Sequence, residues 1–266
     1  MEGMTDNKTP IHNLKRRAVI SVEGPDAHDL LQRVLTVDLT RLEIGAIRPG
    51  ALLTPQGKIL SDFLVHGVEN GVFLDIHAGA ADALVKRLSM YRLRADAQIA
   101  RRDELRVIVG KGAADPRHAD LPARMVVSPH DAPETSDDAA QDTAEITAGV
   151  PAFGRDYDEA QVFPTDVNLD LYGGIGWKKG CFIGQEVVSR MKRRGTIRKR
   201  SLAVSFDGEA PHSGSKVMAG ETPLGEITSA SGSHAIALIR IDRLGAADGE
   251  VTVEGRVAVV EPLDQH

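Results

Sequence analysis

The sequence is poor in cysteine and in aromatic residues. It contains one cysteine and one tryptophan, and aromatic side chains make up 4% of its 266 residues. A single cysteine cannot form an internal disulfide. By itself it also cannot build a structural zinc or iron–sulfur site, which takes several sulfur ligands. A free thiol is typical of a protein from a reducing compartment.

Long apolar runs and several catalytic motifs are absent as well. No apolar stretch approaches the roughly 18 residues of a membrane-spanning helix, and the N-terminal MEGMTDNKTP has no apolar signal core. We therefore expect a cytoplasmic protein with no membrane partner. The nine histidines form no HxxxH or HxH pair, and there is no Walker A loop or GxSxG elbow. Metalloprotease, P-loop NTPase and α/β-hydrolase functions thus have no support, and we predict no metal site.

The charge of the chain is acidic overall but basic in one stretch. A net charge of −6 argues against a protein that binds nucleic acid over its whole surface. Between Lys178 and Arg200, however, nine cationic residues face a single acid, Glu186. The cations form either a solvated face or a funnel for carboxylates or phosphates, and the local excess favours a polyanionic ligand or a small RNA contact.

The hydrophobic pattern predicts an α+β fold with antiparallel pairing, followed by a small β-domain. In the first part, helices are predicted after residue 26 and over 80–91, and strands over 17–22, 50–54, 59–68, 72–76, 97–100 and 105–109. Beyond Gly195, five short strands predict a barrel or sandwich, over 201–206, 215–218, 225–229, 234–241 and 251–260. We place the domain boundary between residues 1–197 and 198–266.

The segment 128–145, SPHDAPETSDDAAQDTAE, is acidic and has no apolar periodicity. Its content of Ala, Asp, Pro, Thr and Ser is typical of a loop. We interpret it as a mobile surface insertion without a function of its own.

The run from Lys178 to Glu186, KKGCFIGQE, predicts a loop that opens a short helix. Free backbone N–H groups at a helix start and the preceding lysines suit an anion, and they favour the thiolate form of Cys181. Cys181 could be a nucleophile, a transient metal ligand or a redox contact. The alternative is a small buried hydrophobic residue.

Other polar and aromatic residues have a functional and a structural interpretation each. Glu186 could bind the amino-pyrimidine edge of a pterin-like ring or pair with Arg190 one helical turn away. Gln185 could bind a ligand or cap the helix. Trp177 could lie beneath a planar ring or in the core. Asp62, on the second strand of the predicted hairpin, could be a general base or an acid that faces solvent.

The run Lys179-Gly180-Cys181-Phe182-Ile183-Gly184-Gln185-Glu186 resembles the signature K-G-C-[FY]-x-G-Q-E of the YgfZ family. These are folate-binding proteins related to the T-protein (aminomethyltransferase) of the glycine cleavage system. Asn168 upstream and Arg190 downstream extend the likeness. A weaker similarity covers most of the chain, through the hairpin ending in Ser61-Asp62, the run from Tyr91 to Arg94, Gly149-Val150-Pro151 and the β-rich C-terminus.

The resemblance implies a T-protein-like, folate-binding α+β body with antiparallel sheets, plus a small C-terminal β-barrel. It implies tetrahydrofolate as cofactor and a role in assembling or repairing iron–sulfur proteins, including radical enzymes that thiolate tRNA. Cys181 is then the functional thiol and Asp62 matches the catalytic acid of a T-protein. The residues predicted to bind the cofactor are Lys179, Gln185, Glu186, Arg190, Trp177, Asn168 and Tyr91.

Departures from the T-protein pattern leave two other functions open. T-proteins carry an acidic pair where this chain has Ser61-Asp62, and they lack the Lys-Gly-Cys signature. The first difference leaves Asp62 alone to match the catalytic acid, and the second weighs against glycine cleavage. One alternative is aminomethyl or one-carbon transfer to tetrahydrofolate with Asp62 as acid or base. The other is a module that binds tRNA through residues 178–200. The expected partners are folate, iron–sulfur client enzymes and assembly proteins, with a weak tRNA contact through Lys178 to Arg200.

Overall fold

The computed structural model describes residues 10–247 and 249–263, so most of the predicted polar N-terminal tail lies outside the described residues. The strands are β1 (His12–Asn13), β2 (Arg17–Glu23), β3 (Ile47–Leu53), β4 (Ile59–Val68), β5 (Gly71–His77), β6 (Gln98–Arg101), β7 (Arg106–Ala113), β8 (Arg124–Val127), β9 (Lys199–Phe206), β10 (Lys216–Ala219), β11 (Thr222–Ser231), β12 (His234–Arg240), β13 (Val251–Val253) and β14 (Arg256–Val260). The helices are α1 (Ala27–Val34), α2 (Ala81–Arg92), α3 (Asp138–Thr147), α4 (Gln185–Arg193) and α5 (Ile241–Leu244).

An antiparallel five-stranded sheet in the order β3-β4-β5-β2-β6 organises the first part of the chain. Helices α1 and α2 cover one of its faces, where Leu30 and Leu31 of α1 and Leu84 of α2 pack with Ile20 of β2. Each such fully buried aliphatic side chain contributes about 1.5–3 kcal/mol. The apolar spacing at 27, 30, 31 and 34 is therefore what places α1 on the sheet.

The other face of this sheet meets a smaller sheet in the order β1-β7-β8. Val19 of β2 packs there with Leu14 and with Val107 and Val109 of β7. Asp75 of β5 is directly opposite Val19 in the β2–β5 ladder, so its side chain lies on the same face. Its side chain is fully buried and contacts Arg17 and Arg124. The interface between the two sheets is thus partly ionic.

The acidic segment 128–145 is not a loop throughout, contrary to the prediction. Helix α3 begins at Asp138, with Asp137 as its N-cap, and the side chains of Gln141 and Glu145 are buried. Glu145 pairs with Arg117 and Arg155. The acidic composition wrongly predicts a loop because these two arginines, which lie outside the segment, neutralise the carboxylate of Glu145 and allow it to be buried.

This buried ionic cluster predicts sensitivity to acid. Burial alone would raise the pKa of Glu145, but Arg117 and Arg155 lower it to about 2; Asp115, beside Arg117 and Arg124, likewise has its pKa lowered to about 2. A carboxyl whose folded-state pKa is depressed stabilises the fold fully above its unfolded-state pKa and loses that contribution as pH falls through the folded-state value.

We therefore expect the free energy of unfolding to decline as pH falls from about 5 towards 2. Urea titrations at a series of pH values measure the slope. Glu145→Gln should lower stability at neutral pH and flatten this slope. An unchanged slope in that variant would contradict the role given to Glu145.

The C-terminal strands form a closed antiparallel barrel in the order β10-β11-β12-β9-β14-β13, with β13 pairing back to β10. Its core contains Val204, Val217, Leu224, Ile239 and Val253. The predicted strand 251–260 is two strands, β13 and β14, which pair with each other as a hairpin. The predicted fold, an aminomethyltransferase-like α+β body with antiparallel sheets and a small barrel, is confirmed.

The boundary between 197 and 198 stays a prediction; β9 begins at Lys199. None of the described helices has the length and apolarity needed to cross a lipid bilayer.

Candidate functional site

The run predicted as the site is held against the β3–β4 hairpin by two glycines. Gly184 caps α4 with φ +78°, and a Cβ there would lie 2.6 Å from the Thr54 carbonyl oxygen and 3.1 Å from the Cα of Gly57. Gly57, with φ +81°, forms the hairpin turn and faces Val187 and Val188. The two backbones approach too closely for side chains, so the glycines fix where α4 begins.

Gly184→Ala is expected to cost about 1–3 kcal/mol, because alanine must take a left-handed conformation and displace the Thr54 carbonyl. Gly180→Ala is the matched control. A Cβ at Gly180 meets nothing within 4 Å, so its effect should stay within about 0.5 kcal/mol. Urea unfolding of the two variants measures the difference, and equal losses would show that Gly184 is not a packing constraint.

Cys181 is exposed and lines an open groove of about 620 Å³. Helix α4 supplies Gln185 and Lys192 to the groove, and the preceding loop supplies Trp177 and Phe182. Phe182 is 7% exposed and belongs to an apolar cluster beneath the loop, which Val188 of α4 also joins. The thiol therefore stands at the surface of a packed platform, and the interpretation of Cys181 as a small buried residue does not apply.

Lys179, predicted to bind the cofactor, has its ammonium group engaged by the fold. Its Nζ donates to the carbonyl oxygens of Leu35 at 2.7 Å and Val37 at 2.8 Å. Burial lowers the pKa of Lys179 to about 8, against the opposing effect of Asp38. The side chain ties the thiol loop to the segment between α1 and β3.

Glu186 and Arg190 form the helical pair that was the structural alternative. Arg190 Nη2 donates to Glu186 Oε1 at 2.6 Å, and both side chains are more than half exposed. Trp177 is half-buried, and Lys192 Nζ lies 3.9 Å from the centre of its ring. Of the predicted site residues, Trp177, Gln185 and Glu186 line the groove with Cys181.

Asp62 is elsewhere, in a cavity of about 20 Å³ that Arg17, Arg117, Tyr157 and Tyr172 also line. Its Oδ1 is buried with no hydrogen-bond partner, and Tyr157 lines the same cavity. Burial raises the pKa of Asp62, although Arg17 and Tyr157 act in the opposite direction. Burial in this cavity therefore favours the neutral carboxyl over the carboxylate, relative to an exposed acid.

Asn168 and Arg200 form the joint between the body and the barrel. Asn168 is buried with φ +61°, and its Nδ2 donates to the Ser201 carbonyl at 2.7 Å. Arg200, predicted as part of a cationic face, is buried and pairs with Asp170 at 2.5 Å. It cannot contact tRNA from this position. The sequence pattern is misleading here because Arg200 is buried against its ion-pair partner, Asp170, so its charge does not face solvent.

A junction pocket of about 340 Å³ is lined by Asn168 and by His118, and it shares Arg117 and Tyr172 with the Asp62 cavity. Tyr91 is in a fourth place, in a groove at the C-terminal end of α2 with Arg92 and Arg94. The predicted site residues therefore lie in several separate locations.

As they stand, these residues do not fit tetrahydrofolate as one site. The Asp62 cavity of about 20 Å³ is roughly the space of one water molecule, whereas ligand pockets usually span about 300–1,000 Å³. The junction pocket and the open groove of Cys181 have that size. The junction pocket contains only Asn168 of the residues predicted for the cofactor, and the groove contains Trp177, Gln185 and Glu186. We derive no step through folate.

Sequence reasoning missed Tyr157 and the arginines around Asp62. Tyr157 is a buried residue of an irregular segment, and burial and Asp62 raise its pKa well above its usual range. Arg117 is held by Asp115 and Glu145. No local pattern marks these residues, because Arg17, Arg117 and Tyr157 reach Asp62 from parts of the chain that are far apart in sequence.

Two family models match separate parts of the chain. The GCVT N-terminal domain matches residues 4–109, and the C-terminal β-barrel domain of CAF17 matches residues 198–264. The aminomethyltransferase T of the glycine cleavage system from Bartonella henselae is similar in structure, with a TM-score of 0.77 over 94% of this chain and 84% of that chain. At 17% sequence identity this likeness shows the fold alone.

Curated relatives carry the name iron–sulfur cluster assembly factor IBA57, mitochondrial. The Neurospora crassa homologue is 27% identical over 78% of this chain and 56% of its own length, and the human protein is 29% identical over 82% and 71%. The chain thus spans little more than half of the Neurospora crassa relative. It has a GCVT-type fold with a CAF17-type barrel, and its relatives are assembly factors.

The predicted cytoplasmic location is wrong by this comparison, because the relatives are named as mitochondrial. That prediction depended on the missing apolar signal core and on the single free thiol. Neither observation discriminates between the two locations. Mitochondrial transit peptides are amphipathic and rich in arginine and serine, without an apolar core, and free thiols persist in any reducing compartment.

Proposed function

We propose that this chain, with its aminomethyltransferase fold and CAF17-type barrel, is an accessory factor for iron–sulfur cluster assembly or repair that acts through Cys181. The observation that carries the proposal is the exposed thiol, the sole cysteine of the sequence, on a groove fixed by the α4–hairpin contact. The names of the relatives support the process. We also propose that the chain is an assembly factor of the YgfZ type.

A thiolate is a good ligand for the iron of a cluster and a good nucleophile. Cys181 can supply one such ligand, and the described residues contain no group of three or more His, Cys, Asp or Glu side chains arranged for a metal. A cluster that contacts Cys181 therefore takes its other ligands from another protein. We propose that the thiol contacts a client or carrier transiently, with tRNA-thiolating radical enzymes among the clients.

The test is functional replacement. Cells that lack their own factor of this type should regain the activity of an enzyme with a four-iron cluster when they express this chain. The activity of an enzyme without a cluster, measured in the same extracts, controls for general effects on growth. If the chain accumulates as folded protein and cluster-enzyme activity stays at the level of the empty vector, the proposal is wrong.

A second candidate function, aminomethyl or one-carbon transfer, is favoured by one observation. The unpartnered Oδ1 of Asp62 lies at a cavity lined by two tyrosines and two arginines. The assay is formation of methylenetetrahydrofolate from an aminomethyl donor. Turnover that disappears in Asp62→Asn would establish this function, and absence of turnover in the folded wild-type chain would remove it.

Tetrahydrofolate enters the proposal only as a ligand of the junction pocket. The fold is one that uses folate in general, and this pocket adjoins the Asp62 cavity through Arg117 and Tyr172. We assign the cofactor no chemical step. Calorimetric titration with tetrahydrofolate tests the assignment, since the folded chain should bind it and Asn168→Ala should weaken binding.

A further inference from the structure

The nine cations predicted as one face divide into groups with different surroundings. Three are engaged by other groups of the chain. Lys179 donates to two backbone carbonyls, Arg190 pairs with Glu186, and Arg200 is buried against Asp170. These three cannot serve an external ligand without losing contacts that the fold uses.

Arg198 and Lys199 lie close enough to acidic side chains to interact with them electrostatically. The charge of Arg198 acts on Asp242, and that of Lys199 acts on Asp166. Their positive charge is therefore partly balanced at the joint between the body and the barrel.

Four cations remain, namely Lys178, Lys192, Arg193 and Arg194, and we call them the cationic rim. Within the part of the chain that the structure describes, none of them lies within ion-pair distance of a carboxylate. Lys192 and Arg193 line the groove of Cys181, and Lys178 follows Trp177, which lines the same groove. The uncompensated charge is thus concentrated beside the thiol.

The helix dipole explains only part of this arrangement. Lys192 and Arg193 are in the last turn of α4, where cations interact favourably with the carbonyl end of a helix. Lys178, however, belongs to a different segment, and the net charge of the chain is −6. The cationic rim comes from two segments, and its members have no carboxylate partner within the described residues although the chain is acidic overall. This indicates that another molecule supplies the acids.

We propose that the cationic rim binds a carboxylate-rich segment of a partner protein and so brings the partner to Cys181. This proposal rests on the proposed function and names the kind of partner that the groove admits. Several unpaired cations around one groove raise the association rate for an acidic surface and orient it. A partner seated there covers the thiol, where a cluster ligand of the partner can approach it.

The alternative occupant, a single-stranded RNA, needs aromatic rings on which its bases can stack. Trp177 is the tryptophan of this groove, and Lys192 Nζ occupies one face of its ring at 3.9 Å from the centre. The other aromatic side chain, Phe182, is 7% exposed. The groove thus offers several cations but little aromatic surface for stacking, which favours a peptide.

The test uses a fluorescein-labelled peptide of alternating aspartate and serine as the probe. Fluorescence anisotropy should show binding to the full chain at low salt that weakens as salt is added. The double variant Lys192→Glu/Arg193→Glu should bind the peptide about tenfold more weakly. Lys86→Glu/Lys111→Glu is the matched control, because both lysines are exposed, lie elsewhere and give the same change in net charge.

Further variants separate the possible outcomes. Lys192→Gln/Arg193→Gln should give a smaller loss, and it keeps the test valid if the glutamate variant does not fold. Cys181→Ser should bind the peptide like the wild type, so that failure of docking and failure of the thiol function can be told apart. Equal losses in the rim and control variants, or binding that salt does not weaken, would overturn the proposal. So would tighter binding of a labelled single-stranded RNA that depends on the rim.

Discussion

Replacing Asp75 with alanine is expected to lower the free energy of unfolding by about 3–5 kcal/mol. Its carboxylate is fully buried between the two sheets of the body, with Arg17 Nε at 2.5 Å and Arg124 Nη1 at 3.2 Å. Burial alone would raise its pKa, but the two guanidinium groups hold that pKa well below the usual range. Alanine at this position leaves two buried cations short of a partner.

Two other substitutions make the measurement specific. Asp103→Ala removes an exposed acid that pairs with Arg101, and such surface pairs contribute about 0–1 kcal/mol. Asp75→Asn keeps the size and an accepting oxygen but removes the charge, so its loss should fall between the other two. Urea denaturation followed by circular dichroism gives the three values. A loss for Asp75→Ala no larger than that for Asp103→Ala would show that the buried cluster adds nothing to stability.

The contrast between these two acids shows what the sequence could predict about the fold. The hairpin and α1 were predicted because their signals are local: Gly57 at a turn between apolar strands, and apolar residues at helical spacing in α1. Asp75 gives no such signal, since an acid on a strand usually faces solvent. Its burial depends on Arg124, which arrives from another sheet.

The same distinction applies to the candidate site. The groove residues Trp177, Cys181 and Gln185 are close in sequence, so the loop and helix that join them could be predicted. Its position on a strand left Asp62 as either a general base or an acid that faces solvent, and its proximity to Tyr157 could not be predicted at all. The ammonium of Lys179 was expected to face a ligand, but the carbonyls that bind it come from the segment after α1. Local patterns predict where helices, strands and loops lie, whereas long-range contacts determine which groups each side chain binds.

Cys181→Ala is expected to abolish the restoration of cluster-enzyme activity while leaving the fold intact. The side chain is exposed, so removing its sulfur should change stability by no more than about 0.5 kcal/mol. The effect on function should nevertheless be complete, because the sequence has no second cysteine to replace the thiol. Activity of the four-iron enzyme in cells that lack their own factor is the measurement, at matched levels of the variant and wild-type chains.

Two further variants assign the effect to the thiol itself. Cys181→Ser should fail as well, since a hydroxyl is ionised far less than a thiol at neutral pH and is a poorer ligand for iron. Ser189→Ala changes another side chain of the same groove without touching the sulfur and should restore activity like the wild type. Full activity with Cys181→Ala would exclude the thiol from the reaction and leave the groove with a docking role only. Loss in all three variants would point to the shape of the groove, because sulfur chemistry alone cannot explain a defect in Ser189→Ala.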